Sequence, residues 1–419
     1  MAILSLALKS LLNRRFTVSL VLLSIALSVS LLLGVERLRV ESRTSFANTI
    51  SGTDLVVGAR SGAVNLLLYS VFRIGDATNN ISWKSYRQFA QHPMVNWTIP
   101  ISLGDSHRGF RVMGTSLDYF RHYQYSQKRS LAFHQGQPFD QVYQAVIGHE
   151  VAQKLDYRVG QETIIAHGAG RAGFTLHDDK PFEVVGILAP TGTPVDRTIH
   201  VPLEGIEAIH KDWIAGRQVA GLNISAEQAV QMDLTPREIT AFLVGLKSKI
   251  ATFRLQREIN DYRMEPLLAI LPGVTLQQLW DLMAVAENAL LVVTLLVVAV
   301  GLIGMLTVML AGLNERRREM AILRSVGARP IHILLLVTGE TLLLSLVGMT
   351  IGMLLFYGGL LLSQPYVESH YGLHLQLSLP SLREWIMLGL VGTFGLLAGL
   401  IPGYRAYRHS LADGMNLRI

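Results

Sequence analysis

Four long apolar stretches divide the chain, and each is long enough to form a membrane-spanning helix. They cover Phe16 to Val35, the apolar core of Met283 to Leu313, Ile331 to Leu362, and Leu382 to Pro402. A hydrocarbon core of roughly 30 Å needs about 20 apolar helical residues. The pattern predicts one span near the start and three near the end, and the chain between them is too polar to span.

The first stretch also fits a signal peptide in one respect, since Lys9, Arg14 and Arg15 precede it. However, its apolar run has about 20 residues, whereas a signal peptide has roughly 7 to 15. The following Gly34-Val-Glu-Arg-Leu-Arg39 lacks a small-residue cleavage pattern. We therefore favour an uncleaved anchor.

Lys and Arg cluster on alternate sides of the four spans, as they do on cytoplasmic flanks. The later clusters are Arg316, Arg317, Arg318, Arg324 and Arg329 between spans two and three, and Arg405, Arg408 and Arg418 after span four. This bias predicts both termini and the 314–330 turn inside the cell. It predicts the 41–280 region and the 363–381 loop on the outer side of the membrane.

The 41–280 region reads as short strands that alternate with helices, which predicts an α+β domain, in two lobes, between the first and second spans. Predicted strands are Asp54–Ala59, Val95–Ser102, Gly109–Gly114, Ala145–Gly148, Glu162–Ala166, Phe182–Leu188 and Ile239–Leu246. Predicted helices are Ser82–Gln91, His149–Leu155, Pro202–Lys211 and Ser248–Tyr262, with a flexible loop at Gly168–Gly173.

A long helix is predicted after Pro272-Gly273, where Thr275-Leu-Gln-Gln278 has the form of a capping box. If it continues to Leu313 it is about 58 Å long, whereas the bilayer needs about 30 Å. The excess predicts a stalk. Residues 36–50 predict a second stalk after the first span.

The third and fourth spans contain glycine pairs at helix-contact spacing, Gly348 with Gly352 and Gly395 with Gly399. Such pairs allow close helix packing, although glycine is also simply common in membrane helices. Glu340 lies inside the third span, where a carboxylate must face protein or water. We interpret it as a partnered intramembrane acid, since no second buried acid or histidine accompanies it as a proton relay would require.

Composition narrows the class of protein. Hydrophobic residues make up 50% of the 419 residues and charged residues 16%, which suits a membrane protein with a large water-facing part. The net charge of +6 lacks a basic stripe with interleaved aromatics, so we expect no nucleic-acid partner. The absence of cysteine excludes disulfides and thiolate metal sites.

No catalytic constellation is evident. The sequence has no phosphate-binding G-x-x-x-x-G-K-[ST] motif, so any ATP and Mg are expected in a partner chain. His149-Glu150 begins a zinc-protease pattern, but Gln153 stands where the second histidine belongs. Gly114-Thr-Ser-Leu-Asp118 resembles a nucleophile elbow without its final glycine. We therefore predict that the chain is not an enzyme.

Histidine is concentrated in the part predicted to lie outside, with nine of 13 between His92 and His210. His370 and His374 have the i, i+4 spacing that places two imidazoles on one helix face, as zinc requires. Tyr371-Gly372 weakens such a helix. Metal binding by His370 and His374 and exposed, titrating histidines therefore both remain open.

In this setting Arg316-Arg-Arg-Glu-Met-Ala-Ile-Leu-Arg-Ser-Val-Gly-Ala328 resembles a motif of the MacB/FtsX/LolC-type ABC permeases, the mechanotransmitting (type VII) superfamily. The one-plus-three span layout is similar too, as are Glu340 with Gly348 and Gly352, and the Ile401–His409 tail. In the 41–280 region, Ala145–Leu155, Val159-Gly160 and Phe182–Leu188 also match the family pattern. The resemblance covers nearly the whole chain, without the fused ATPase of the macrolide exporters.

The resemblance implies a homodimer, or a heterodimer with a related permease, bound to a separate ABC ATPase in a bacterial inner membrane. It implies that the 314–330 segment is a coupling helix on that ATPase. The implied contact residues are Glu315, Arg316, Arg317, Arg318, Glu319, Ile322, Arg324 and Ser325. Motion would then reach the periplasmic domain for export, for lipoprotein handling or for activation of a periplasmic protein partner.

The predicted order is a cytoplasmic segment and first span (1–40), periplasmic domain (41–280), second span (281–313), coupling helix (314–330), third span (331–362), loop (363–381), fourth span (382–402) and cytoplasmic tail (403–419). Two other functions remain open: a zinc-linked periplasmic transport component, and a membrane signalling or scaffold protein that transports nothing.

Overall fold

The structure, a computed structural model, describes residues 15–168, 175–176, 179–214, 217–218, 224–315, 317–371 and 378–408. It separates into two compact units. Of the described residues, the first contains those within 15–41, 284–366 and 378–408, and the second contains those within 42–283 and 367–371. We call them the helical unit and the α/β unit.

Four helices of the described residues are long and apolar enough to cross a membrane, as predicted. The helices are α1 (Arg15–Thr49), α9 (Pro272–Glu315), α11 (Pro330–Tyr371) and α12 (Leu382–Arg408). Their membrane-compatible portions are Arg15–Glu41, Pro272–Leu313, Pro330–Gln364 and Leu382–Arg408. A short helix, α10 (Arg317–Ser325), lies between α9 and α11.

The helix bounds differ from the predicted ones at three places. Helix α9 begins at Pro272, three residues before the predicted cap at Thr275, because proline suits a first helical turn, where its missing N–H has no partner to lose. Helix α11 continues to Tyr371, so the first part of the predicted 363–381 loop is helical. Helix α12 continues through Pro402 to Arg408.

The α/β unit is built on one large mixed sheet. Its main path runs β18-β1-β17-β3-β4-β13-β8-β12-β7, so strands distant in sequence are neighbours. These strands are β1 (Leu55–Ala59), β3 (Val95–His107), β4 (Phe110–Thr115), β7 (Phe133–Gly136), β8 (Gln144–Ile147), β12 (Phe182–Leu188), β13 (Thr198–Pro202), β17 (Ala241–Leu246) and β18 (Leu267–Ile270). The pairs β4–β13 and β8–β12 are parallel and the others on this path antiparallel. These nine strands form one continuous sheet within one compact unit, whereas the sequence predicts two lobes.

The remaining strands are short. They are β2 (Ile81–Ser82), β5 (Gln124–Tyr125), β6 (Arg129–Ser130), β9 (Glu162–Thr163), β10 (Ala166–His167), β11 (Thr175–Leu176), β14 (Trp213–Ile214), β15 (Arg217–Gln218) and β16 (Glu238–Ile239). Helices of this unit are α2 (Ala63–Ser70), α3 (Trp83–Ala90), α4 (Asp118–His122), α5 (His149–Leu155), α6 (Leu203–Ile209), α7 (Ala226–Val230) and α8 (Thr252–Asn260). Two 3₁₀ turns cover Pro194–Arg197 and Lys249–Ala251.

Apolar side chains fill both faces of the sheet, which explains why its central strands are buried almost throughout. Val56, Ile99 and Leu243 lie in one core cluster, and Val57, Phe242 and Val244 lie in another. This alternation along β1 and β17 follows the two-residue period of a strand. Val146, Phe120 and Val195 belong to the same cluster as Val56 and extend that core toward β8.

Candidate functional site

Helix α10 is the element that the sequence identifies as the coupling segment. It is a nine-residue helix between two candidate spans. Met320 is buried and packs with Leu313, Ile333 and Ala406, which anchors one side of α10 to the helical unit. Ile322 is 56% exposed and Val326, just after the helix, 82% exposed. The other side of α10 therefore presents apolar surface.

A Schellman motif ends α10. Gly327 has φ +101°, and its N–H donates to the carbonyl oxygen of Arg324, while the Ala328 N–H donates to that of Leu323. Glycine suits this position because a left-handed backbone costs it no steric penalty. The Ser325 hydroxyl also donates to the Ile322 carbonyl oxygen, 2.8 Å away. The turn into α11 thus has a defined geometry.

Only part of the predicted contact set can be placed. The side chains of Ile322, Arg324 and Ser325 belong to the described part of the chain. Glu315, Arg317, Arg318 and Glu319 are helical in backbone, but their side chains lie outside the described residues, and Arg316 lies outside them entirely.

Close helix contacts surround the four predicted packing glycines. A Cβ atom at Gly348 would lie 2.8 Å from Ile25, and one at Gly352 would lie 2.7 Å from the carbonyl oxygen of Ala26. Both contacts join α11 to α1. A Cβ at Gly395 would lie 2.2 Å from the Ser345 hydroxyl oxygen, at the contact between α12 and α11.

Gly399 and Gly403 continue this second contact, facing Thr341 and Thr338 of α11. Gly403 was not predicted, although its position four residues after Gly399 continues the same spacing by one helical turn. Glu340 is only 4% exposed and lies on α11 beside these residues in sequence. Its carboxylate is thus enclosed by protein, as a polar group within a span requires.

A network of ion pairs, which the sequence analysis did not predict, connects helices of the same unit through three buried charges and their more exposed partners. Glu36 pairs with Arg383 at 3.1 Å, Arg37 pairs with Glu384 at 3.8 Å, and Arg39 pairs with Glu287 at 3.5 Å. Glu36, Arg37 and Glu384 are each less than a tenth exposed. The sequence signal that could have indicated this network is the presence of charged residues at the same end of three predicted spans.

The structure offers no described site for zinc. Among the residues that it describes, no three His, Cys, Asp or Glu side chains are grouped to hold a metal ion. His134 and His149 approach each other with ring centroids 6.1 Å apart, but no third such ligand completes a site there. The side chain of His370 and all of His374 lie outside the described residues.

One histidine of the α/β unit is fully buried. The Nδ1–H of His200 faces the Val146 carbonyl oxygen at 3.2 Å, and its ring packs against Tyr119. Burial, together with the nearby Arg73 cation, lowers the pKa of His200 to about 3. His200 is therefore neutral at physiological pH and part of the core.

Two family models match the chain. The model described as MacB-like periplasmic core domain matches residues 16–242, more than half of the chain. The model described as FtsX-like permease C-terminal matches residues 291–411. The first match spans α1 and most of the α/β unit, and the second includes α10, α11 and α12.

Curated relatives point the same way. The macrolide export ATP-binding/permease protein MacB of Azoarcus sp. (strain BH72) is 24% identical over 241 residues, which are 56% of this chain and 33% of that protein. The pyoverdine export ATP-binding/permease protein PvdT of Pseudomonas fluorescens is 29% identical over 229 residues, 52% of this chain and 30% of that protein. The chain thus spans about a third of the length of these relatives.

Solved structures give a weak overall superposition. The periplasmic region of MacB from Actinobacillus actinomycetemcomitans aligns with a TM-score of 0.33 at 9% identity, covering 56% of this chain and 95% of that one.

Proposed function

Because this chain belongs to the MacB/FtsX-type family of ABC transporter permeases, we propose that it is a membrane subunit that transmits motion from a cytoplasmic ATPase to a periplasmic α/β domain. In this proposal both termini and α10 face the cytoplasm and the α/β unit faces the periplasm. The chain works as a homodimer or with a related permease. It serves export, lipoprotein handling or activation of a periplasmic protein.

The observation that carries the proposal is the exposed apolar side of α10. Ile322 and Val326 are exposed at a segment that is anchored by Met320 and ended by a rigid glycine turn. Exposed apolar side chains beside arginines are typical of a protein interface. Lys and Arg residues flank the spans around α10, and this bias favours a cytoplasmic location for α10, where ATP is available.

The nucleotide chemistry belongs, in this proposal, to another polypeptide. The matched relatives are described as ATP-binding/permease proteins, whereas these 419 residues contain no Gly-Lys dipeptide with which a phosphate-binding loop could end. ATP and Mg would bind that partner. Binding and hydrolysis there would move α10, and the continuous helices α1 and α9 would carry the movement.

Purification from native membranes tests the proposal. The tagged full chain, solubilised in mild detergent, should bring down a chain with a phosphate-binding loop, and the preparation should hydrolyse MgATP. The double variant Ile322→Asp, Val326→Asp should bring down no ATPase and show no MgATP hydrolysis, because two charged side chains replace the apolar contact. Leu379→Asp is the matched control, since Leu379 is 90% exposed but precedes α12, at the end opposite α10. Retention of the ATPase by the double variant would contradict the assigned contact, and purification without any ATPase would contradict the proposal itself.

A further inference from the structure

The buried charges of the helical unit form one connected set rather than scattered pairs. Within α1, Glu36 lies 3.6 Å from Arg39, and Arg37 lies 3.3 Å from Glu41. Across helices, Glu36 reaches Arg383, Arg37 reaches Glu384, and Arg39 reaches Glu287. Three of the four candidate spans thus share one network of ion pairs.

The fourth candidate span joins the network through the residues before α12. Arg37 donates a hydrogen bond to the Ser378 hydroxyl, and the Tyr357 hydroxyl of α11 donates to the Ser378 carbonyl oxygen at 3.3 Å. Ser381 and Glu384 form a reciprocal cap at the start of α12, with Ser381 N to Glu384 Oε2 at 2.5 Å and Glu384 N to Ser381 Oγ at 3.2 Å. Glu384 therefore serves the cap and Arg37 together.

The location of the network sets it apart from ordinary surface ion pairs. Helix α1 passes from the helical unit to the α/β unit after Glu41, and α9 passes between the units at Met283 and Ala284. The network residues on these two helices lie within about two turns of those crossings. Helices α1 and α9 are thus paired with charged groups beside their crossings into the α/β unit.

Burial makes the pairing strict. Glu36 is 3% exposed, Arg37 6% and Glu384 2%, so in this arrangement each charge is compensated in part by the neighbouring helix and hardly by water. Removing one member of a buried pair leaves an uncompensated charge, which is much less favourable than losing a surface pair. The three helices therefore keep this arrangement unless their charged side chains find other partners at the same time.

We infer that Glu36, Arg37 and Arg39 are positioning residues that fasten α1 to α9 and α12, so that these three helix ends move as one body beside the crossings to the α/β unit. The role of that movement rests on the proposed function, whereas the connection of the three helices by ion pairs does not depend on it. Under that function, the network lets α12, whose Ala406 packs with Met320 of α10, act on α1 and α9 together.

Spin-label distances test the fastening directly, and the chain has no cysteine to interfere. One label pair joins Leu38→Cys on α1 with Ile386→Cys on α12, and a second joins Leu38→Cys with Val285→Cys on α9, all at exposed positions. In the full chain in lipid nanodiscs, each pair should give a single narrow distance distribution.

Neutral variants should loosen one contact at a time. Glu36→Gln or Arg383→Gln should add a second population of distances for the α1–α12 pair, and Glu287→Gln should do so for the α1–α9 pair. Glu36→Gln with Arg383→Gln should add no more than either single change, because both remove the same contact. Arg405→Gln, an exposed residue at the other end of α12, should leave both distributions narrow.

Unchanged distributions in Glu36→Gln, Arg383→Gln and Glu287→Gln would overturn the inference, as would broadening that adds fully in the double variant. The distance measurement uses no ATPase. A permease that brings down no ATPase but shows the expected distances would therefore contradict the proposed function alone.

Discussion

The hydroxyl oxygen of Thr341 lies 1.8 Å from the position that a Cβ atom on Gly399 would occupy. Thr341 is fully buried, and its hydroxyl donates to the Thr338 carbonyl oxygen at 2.8 Å. The two helices that carry these residues, α11 and α12, can therefore approach this closely only with a glycine at 399. Close approach of this kind stabilises helix pairs through dispersion contacts in lipid.

We predict that Gly399→Ala destabilises the helical unit by about 1 to 3 kcal/mol, the range typical of overpacking a fitted contact. Thermal unfolding of the full chain in detergent measures the effect. Gly389→Ala on the same helix is the control, because nothing lies within 4 Å of its added Cβ. Adding Thr341→Ala to Gly399→Ala should recover part of the loss. Equal melting temperatures for Gly399→Ala and Gly389→Ala would contradict the prediction.

A second close contact lies at the start of α5 in the α/β unit. A Cβ on Gly148 would lie 2.3 Å from the Val195 carbonyl oxygen and 2.4 Å from that of Asp196. Both obstacles are backbone atoms of the Pro194–Arg197 turn, which cannot rotate away. We expect Gly148→Ala to cost at least about 2 to 3 kcal/mol of unfolding free energy.

Gly62 provides a matched control for this change. It precedes α2 with φ −72° and ψ 139°, close to the φ −68° and ψ 157° of Gly148, so the two backbones accept alanine equally. The nearest neighbour of a Cβ at Gly62, however, is 3.9 Å away. Denaturant unfolding should separate the two variants clearly. Similar losses for both would show that the backbone conformation, and not the Val195 contact, sets the cost.

Local patterns predicted much of this fold. The seven predicted strands and four predicted helices of the 41–280 region all have counterparts, with ends that differ by a few residues. Strands such as Phe182–Leu188 are detectable because each is a β-branched, apolar run between turn residues. Thr198–Pro202 and Leu267–Ile270 escaped prediction because each is short and is specified by its sheet neighbours.

The interhelical contacts were less accessible to prediction. Glycine spacing indicates that one face of a helix allows close packing. It does not show which residue of the neighbouring helix packs there, such as Ile25 against Gly348. The pairing of Glu36 with Arg383 joins residues that are far apart in sequence. Such a pair depends on how the helices are arranged, and single-residue properties do not determine that arrangement.

The buried pair of Lys180 and Asp212 yields a third prediction. Both side chains are fully buried, with Lys180 Nζ 2.9 Å from Asp212 Oδ1. Lys180 Nζ also lies 2.6 Å from Asp179 Oδ2, but Asp179 is 40% exposed. We expect Asp212→Asn to destabilise the α/β unit by about 3 to 5 kcal/mol, because it leaves a buried ammonium group with less compensation.

Asp179→Asn should cost about 1 kcal/mol or less, since its carboxylate remains partly solvated and its pairing is screened. Denaturant unfolding of the two variants at neutral pH measures how much unfolding free energy is lost when each partner of Lys180 is neutralised. An equal loss in both variants would indicate that Asp179 and Asp212 share the charge of Lys180 evenly, contrary to the difference in burial.

The buried histidine predicts how stability depends on pH. Burial and Arg73 lower the pKa of His200 to about 3, whereas an unfolded histidine has a pKa near 6.5. Below about pH 6.5 the unfolded chain therefore binds a proton that the folded chain does not, and stability falls as the pH falls toward 3. From pH 7 to pH 5 this one group should remove about 2 kcal/mol of unfolding free energy. Burial also lowers the pKa of His107, which adds to the slope in the same direction.

Denaturant unfolding of the full chain in detergent, followed by tryptophan fluorescence, can measure the slope because Trp83, Trp97, Trp213 and Trp280 all lie in the α/β unit. His200→Gln should flatten the dependence without abolishing it, and His134→Gln, at an exposed position, should retain the full slope. A slope that is equal in all three proteins would mean that His200 accepts its proton in the folded state, and the neutral core position assigned to it would be wrong.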